Sequence, residues 1–320
     1  MTACYADVFD FAMTPGELCR RLIGEKATQE QVDQALAGLE GAALSIRGGW
    51  VTLAGREHLA ELRQCRQAFG EAVWTDARRY TRWLNRIPFV RSVSVSGSLA
   101  ADNADAEGDV DVFCITAPGR LWVARMFIVP LSKLTRVLPV RYLCPNYLVS
   151  EGALMVRDQN LFAAHEVVQA KPVFGAAVHR RFLEANRWAS HTLPNGFSAA
   201  QQGTTEPDTS GQRMIDGMLD ALGADAIDRF IHRTFLAFYR RRAERRGWNW
   251  PRIASAYTRE QYTVPEGGYT DIVRQRFLGR VEQRLGPAFV PDAEALFARA
   301  AEPAGAYDWS GDFKQHYGAA

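Results

Sequence analysis

Lysine is almost missing from this chain. Only Lys26, Lys133, Lys171 and Lys314 occur, and arginine supplies the rest of the 38 basic residues. Against 36 acidic residues they leave a net charge of +2. So weak a balance gives no long-range field to gather nucleic acid or an anionic membrane surface. Cysteine is sparse too. Cys4, Cys19, Cys65, Cys114 and Cys144 are odd in number and contain no C-x-x-C pair. That argues against a disulfide framework or a zinc knuckle, and for reduced thiols in a cytoplasm. The longest apolar run, LWVARMFIVPL, is interrupted by Arg125 and Pro130 and is too short to span a bilayer. The opening MTACYADVFDF carries acids and no basic residue, unlike a signal peptide. There is no G-x-S-x-G, and the His165-Glu166 pair does not continue as H-E-x-x-H, so two common hydrolase signatures have no carrier.

What is present is ordinary globular material. The 320 residues are 47% hydrophobic and 23% charged, enough for two or three domains. Residues 1–55 read as helix, helix, hairpin. Thr14-Pro15-x-Glu17 and Thr28-x-x-Gln31 are helix starts, and LSIRGGWVTL is two short strands joined at Gly48-Gly49. This is the pattern of a winged helix, which serves either DNA or protein contact. Its second helix, TQEQVDQALAGLEG, is acidic and lacks arginine, which counts against DNA reading.

Residues 56–86 have helical spacing, as one or two helices. FVRSVSVSG and DVDVFCIT then alternate as strands. A helix is expected over GRLWVARMFIVPLSKLTRVL, a third strand over VRYLCPNYLVS and a fourth over GALMV. Pro145 makes the third strand an edge or a bulged one. From Asn160 onward the pattern is mostly helical, broken by an expected mobile loop over residues 194–213.

The stretch VSGSLAADNADAEGDVDVFCIT (residues 95–116) carries chemistry. Side chains alternate along a strand, so Asp109 and Asp111 share one face while Val110 and Val112 share the other. Two carboxylates on one strand face repel unless a cation lies between them. Mg2+, or Mn2+, suits such oxygens and leaves positions for substrate phosphate. Gly97-Ser98 ends the preceding strand. Glycine admits close backbone approach, and a strand-to-helix turn presents N–H groups and a hydroxyl to an anion.

Val95-x-Gly97-Ser98, the spacer from Leu99 to Gly108, and Asp109-Val110-Asp111-Val112 together resemble the DNA polymerase β-like nucleotidyltransferase superfamily. The resemblance covers about residues 87–150. It implies that Gly97 and Ser98 contact the phosphates of an NTP and that Asp109 and Asp111 hold the catalytic metals. An acceptor hydroxyl would attack the α-phosphorus and release pyrophosphate. The family usually adds a third carboxylate on a following strand. Here Asn146 occupies that strand, Glu151 stands at its end and Asp158 lies beyond. Glu151 is the candidate, with Asp158 or no third acid as the alternatives.

Arg120 and Arg125, at the start of the next helix, are candidate triphosphate contacts. Arg125 can equally pair with a carboxylate. The histidines have no metal spacing and read as structural or surface residues. In RFIHRTFLAFYRRRAERRGWNWPR, Phe230, Phe235, Phe238 and Tyr239 have the spacing of a core-facing stripe, with solvated arginines around them.

The expected architecture is α+β and mostly helical. A winged-helix-like module (1–55) precedes a mixed-sheet nucleotidyltransferase core (56–158) and a helical domain (159–320) that shapes the acceptor pocket. The expected activity is transfer of NMP from an NTP to a hydroxyl-type acceptor, with a small molecule favoured over protein or nucleic acid and no membrane partner. A nucleotide-sensing protein without turnover, or a nucleotide-sugar glycosyltransferase using Asp109 and Asp111, are the alternatives.

Overall fold

Short-range signals decide the first 55 residues. After α1 (Thr2–Asp7), the Thr14 hydroxyl accepts the Glu17 N–H and the Glu17 carboxylate accepts the Thr14 N–H. This capping box starts α2 (Pro15–Arg20). Thr28 and Gln31 repeat it for α3 (Gln29–Leu39). Gly48 and Gly49, with φ of 56° and 82°, make the left-handed turn that joins β1 (Leu44–Arg47) to β2 (Trp50–Leu53) as an antiparallel hairpin. A single helix, α4 (Leu59–Leu84), follows, burying Val73, Ala77, Tyr80 and Leu84 along one face. The structure is a computed structural model and describes residues 1–105, 108–138, 140–200, 210–263 and 269–297.

The middle of the chain builds the sheet. It runs through β3 (Val90–Val95), the short α5 (Gly97–Ala100), β4 (Val110–Thr116), α6 (Leu121–Val137) and β5 (Leu143–Ser150). Next come α7 (Leu161–Gln169) and β6 (Lys171–Phe174). After these lie α8 (Ala176–Ala185), α9 (Ala189–Thr192), α10 (Pro194–Ala200), α11 (Ser210–Ala221), α12 (Ala224–Arg246) and α13 (Trp250–Ala256). Then follow β7 (Gln261–Thr263), α14 (Tyr269–Leu285), a 3-10 turn at Pro287–Phe289 and α15 (Val290–Ala295). The five-stranded order is β6-β3-β4-β5-β7, with β4 and β5 parallel and the other pairs antiparallel. The chain is α+β, mostly helical. Among the described residues no helix is long and apolar enough to cross a membrane.

Several expectations change. The boundary expected at 158 cuts the sheet, because β6 and β7 come from beyond it. GALMV forms turns and bends instead of a fourth strand. Part of the expected 194–213 loop is helical as α10, while residues 201–209 lie outside the described residues. The first 55 residues have no core of their own: Tyr5, Phe11 and Leu36 share a cluster with Leu161, Val273 and Phe277. Phe235 and Tyr239 pack onto the main core, but Phe230 and Phe238 are 71% and 60% exposed. The stripe is therefore split between core and solvent.

Two features aim the sheet at a cavity. The Asp228 carboxylate on α12 accepts the Trp122 and Val123 N–H groups, capping α6 from a distant part of the chain. The parallel β4–β5 register shifts between Val112 and Phe113, where Pro145 sits. Beyond β5, β7 pairs only Tyr147, Leu148 and Val149. Among the described residues, positions 143–146 have no strand on that side and form an open edge, as a proline without an N–H favours.

Candidate active site

That open edge lines a cavity of about 980 Å³. β5 contributes Cys144, Pro145, Asn146 and Leu148, and α6 contributes one face that includes Arg125, Val129, Ser132 and Arg136. The first 21 residues add Tyr5, Phe9 and Arg21, and α7 adds His165 and Glu166. Gly97, Ser98, Asp109, Asp111 and Arg125 all reach the cavity, whereas Glu151 does not.

At the acidic end the backbone is tightly fitted. The Ser96 N–H donates to the Asp111 carbonyl at 3.0 Å, which pins the turn after β3 against β4. Gly97 follows with φ of 63°, and a Cβ there would overlap the Asp111 carboxylate. Only glycine allows this approach. Asn146 Nδ2 donates to Asp111 Oδ1 at 3.4 Å, and the Cys144 thiol also bonds to that carboxylate. Asn146 Oδ1 is buried without a partner.

Glu166 is the third acid at this end. Its carboxylate accepts the Gly97 N–H and the Gln169 amide, the latter at 2.7 Å. Burial raises the Glu166 pKa. Burial also pushes Asp111 up to about 7, with the Glu166 charge adding to the shift. Asp109 is raised by burial as well, against the pull of Arg136. Among the described residues none of the three acids forms an ion pair. Glu166 escapes a sequence reading because it arrives from a helix 55 residues downstream. The available signal is an acid inside an otherwise apolar helix, LFAAHEVVQ.

Glu151 stands at the other end of the same strands. Its N–H donates to Thr116 O, and its carboxylate pairs with Arg91 at 3.7 Å and with Arg181. Five rungs separate Thr116 from Asp111, roughly 17 Å at strand spacing. Glu151 is therefore no companion of the aspartates, and its site assignment is corrected. Arg120 pairs with Asp220 at 2.7 Å and Asp225 at 3.2 Å, so it braces α11 and α12. Arg125 does line the cavity, but eleven residues before Arg136 on α6, about 16 Å along the axis. Lys133 and Arg136, both exposed, are the basic residues of α6 nearer the acidic end.

No protein-family model, curated protein or solved structure matches this chain.

Among the described residues no three His, Cys, Asp or Glu side chains form a ready metal cage. The donors at this end are instead Asp111 on β4, Asp109 just before it, an asparagine oxygen with no partner among the described residues, and a glutamate across a glycine turn. His165, next to Glu166, stacks on Tyr5 at 4.2 Å, and its Nδ1 lies 3.0 Å from the Leu161 carbonyl. Burial lowers its pKa to about 3, so it is neutral.

Proposed function

We propose that the chain is a divalent-metal-dependent nucleotidyltransferase of the polymerase β-like kind. It would move NMP from an NTP to a hydroxyl on a small acceptor and release pyrophosphate. The observation that carries this reading is the convergence of Asp109, Asp111 and Glu166 around Gly97 at one end of a large cavity, with no ion pair to any of them among the described residues. Carboxylates gathered without a counterion are held at a cost in stability, and a metal ion offsets that cost.

The residues fit Mg2+ or Mn2+. Asp109 and Asp111 offer hard oxygens, and the buried Asn146 Oδ1 beside Asp111 is a further donor without a partner. Two or three protein oxygens suit an ion that keeps its other positions for phosphate and water. When bound, the ion supplies charge neutralisation at the phosphate oxygens. Ser98, exposed to the cavity, would hydrogen-bond a phosphate, and Lys133 and Arg136 would balance its charge from the rim. Glu166, with its raised pKa, would take the proton of the acceptor hydroxyl as that oxygen bonds to the α-phosphorus. The bond from the α-phosphorus to the bridging oxygen breaks, and pyrophosphate leaves.

A nucleotide sensor without turnover is the second reading. It is favoured by Asn146 on the strand where the family carries an acid, and by the Gly97 N–H being engaged with Glu166. One experiment separates the two. The purified chain is melted with each of ATP, CTP, GTP and UTP, with and without Mg2+, and pyrophosphate is measured over a panel of hydroxyl acceptors. A bound NTP at a hundredfold excess over its Kd should stabilise the fold by about 3 kcal/mol. That shift should vanish in the Asp109→Ala/Asp111→Ala double variant. Binding with no pyrophosphate on any acceptor supports the sensor. No Mg2+-dependent shift with any NTP, or unchanged turnover in the double variant, overturns both. Stabilisation by a UDP-sugar alone would point to glycosyl transfer.

A further inference from the structure

The far end of the cavity differs in kind from the acidic end. Arg125 lies there inside a set of rings: its Cζ is 4.1 Å from the centroid of Tyr262, 4.6 Å from Phe235 and 5.5 Å from Trp122. Its Nε is buried and has no hydrogen-bond partner. No carboxylate among the described residues pairs with it. Other arginines with little exposure are treated differently. Arg63 meets Glu17 at 2.7 Å, Arg91 meets Asp216 at 2.6 Å and Arg120 meets Asp220 at 2.7 Å. Ring faces attract a guanidinium but leave its in-plane N–H donors unused. A fork of N–H donors turned into an aromatic-walled chamber is matched by a planar or tetrahedral oxyanion. Leu148, Ile253 and Tyr257 line the same chamber, so the body carrying that anion is apolar or aromatic.

We propose that Arg125 anchors a carboxylate or phosphate group of a small acceptor with an apolar or aromatic body, at a subsite separate from the nucleotide phosphates. The word acceptor rests on the nucleotidyltransferase reading; the anion subsite does not. The separation follows from α6, which sets Arg125 about 16 Å along its axis from Arg136, the residue that acts on Asp109. On this reading the acceptor places its hydroxyl toward Glu166 and its anion on Arg125.

Benzoate and phenyl phosphate serve as probes, titrated calorimetrically into the full chain without metal or nucleotide. At least one should bind, and the one that binds tighter identifies the anion. Arg125→Gln should weaken that binding roughly tenfold or more, the usual cost of removing a charged hydrogen-bond partner. Arg125→Lys keeps the charge without the planar fork, so it should weaken binding by less. It also carries the test if the Gln variant melts before titration. Asp109→Asn/Asp111→Asn should leave probe binding within about twofold, a difference too small to count as a lost contact. Arg125→Gln should likewise leave Mg2+–NTP affinity unchanged. No probe binding to the wild type, equal binding to both Arg125 variants, or an equal loss in the aspartate double variant overturns the proposal. So does a tenfold loss of Mg2+–NTP affinity in Arg125→Gln, which would make this end a nucleotide contact. Arg125-dependent probe binding in a chain that binds no NTP would leave the anion subsite standing and remove the nucleotidyltransferase reading.

Discussion

The two ends of the β4–β5 ladder treat acids in opposite ways. At the carboxyl end, Glu151 is held by Arg91 and Arg181, and Glu260 bonds to the Ser150 hydroxyl and the Gly119 N–H. Glu151 is answered by two arginines and Glu260 by neutral hydrogen-bond donors. At the amino end, Asp111 and Glu166 face each other across Gly97, Asp109 stands one strand step away, and all three have raised pKa values. An acid answered by arginine holds elements together. Acids gathered without such partners destabilise the empty fold and are ready for an external cation.

This contrast can be broken at either end. The largest effect is expected from Asp111→Ala. Mg2+-dependent pyrophosphate release should fall by at least ~10²–10³-fold, while the metal-free protein melts no lower, because a poorly solvated charge has gone. A melting temperature that drops with the activity would mean that Asp111 is structural. Gly97→Ala comes next. Its Cβ meets the Asp111 carboxylate at a positive φ, so the fold should lose about 1–3 kcal/mol in denaturant titration, and nucleotide binding should fall with it. Glu166→Gln should lower turnover more than nucleotide affinity, if it takes the acceptor proton. A loss confined to affinity would assign it to nucleotide binding instead.

The pH response is a subtler contrast. In the fold the Asp111 carboxyl titrates at about 7, against 3.8 when unperturbed. The folded state therefore keeps a proton that the unfolded chain releases. Metal-free stability should fall as pH rises from about 4 through about 7. Cation binding has to displace that proton, so Mn2+ affinity measured by titration should climb over the upper part of the same window. A flat affinity profile would mean that Asp111 takes no part in holding the ion. The smallest effect is expected at the other end. Glu151→Gln keeps the shape of a half-buried side chain between Arg91 and Arg181, so it should cost about 1 kcal/mol, and leave pyrophosphate release unchanged.

What the sequence shows plainly is local. Both capping boxes and the Gly48-Gly49 hairpin depend on neighbours a few residues apart and appear in the fold, while β4 begins at Val110 and takes in Asp111 but not Asp109. The helix continues through Pro130, an exposed residue, at the loss of one backbone hydrogen bond. β6 and β7 stay hidden because they are four and three residues long and exist only by pairing with distant strands. Glu166 is hidden for the same reason: its proximity to Asp111 is created by the packing of α7. Glu151 misleads because the end of a strand is close in sequence and far in space. Arg125 is legible as a cation near the site, but the rings that hold it are spread over residues 122 to 262.

The short pairing of β7 has one further consequence. An unpaired strand edge invites another strand to zip onto it, which is how sheets grow into aggregates. Here the stretch left unpaired among the described residues carries Pro145, which cannot offer an N–H to an incoming partner. The edge also faces a chamber walled by other helices. Among the described residues, the chain can therefore leave part of a sheet facing the cavity without exposing it as a template for a neighbouring molecule.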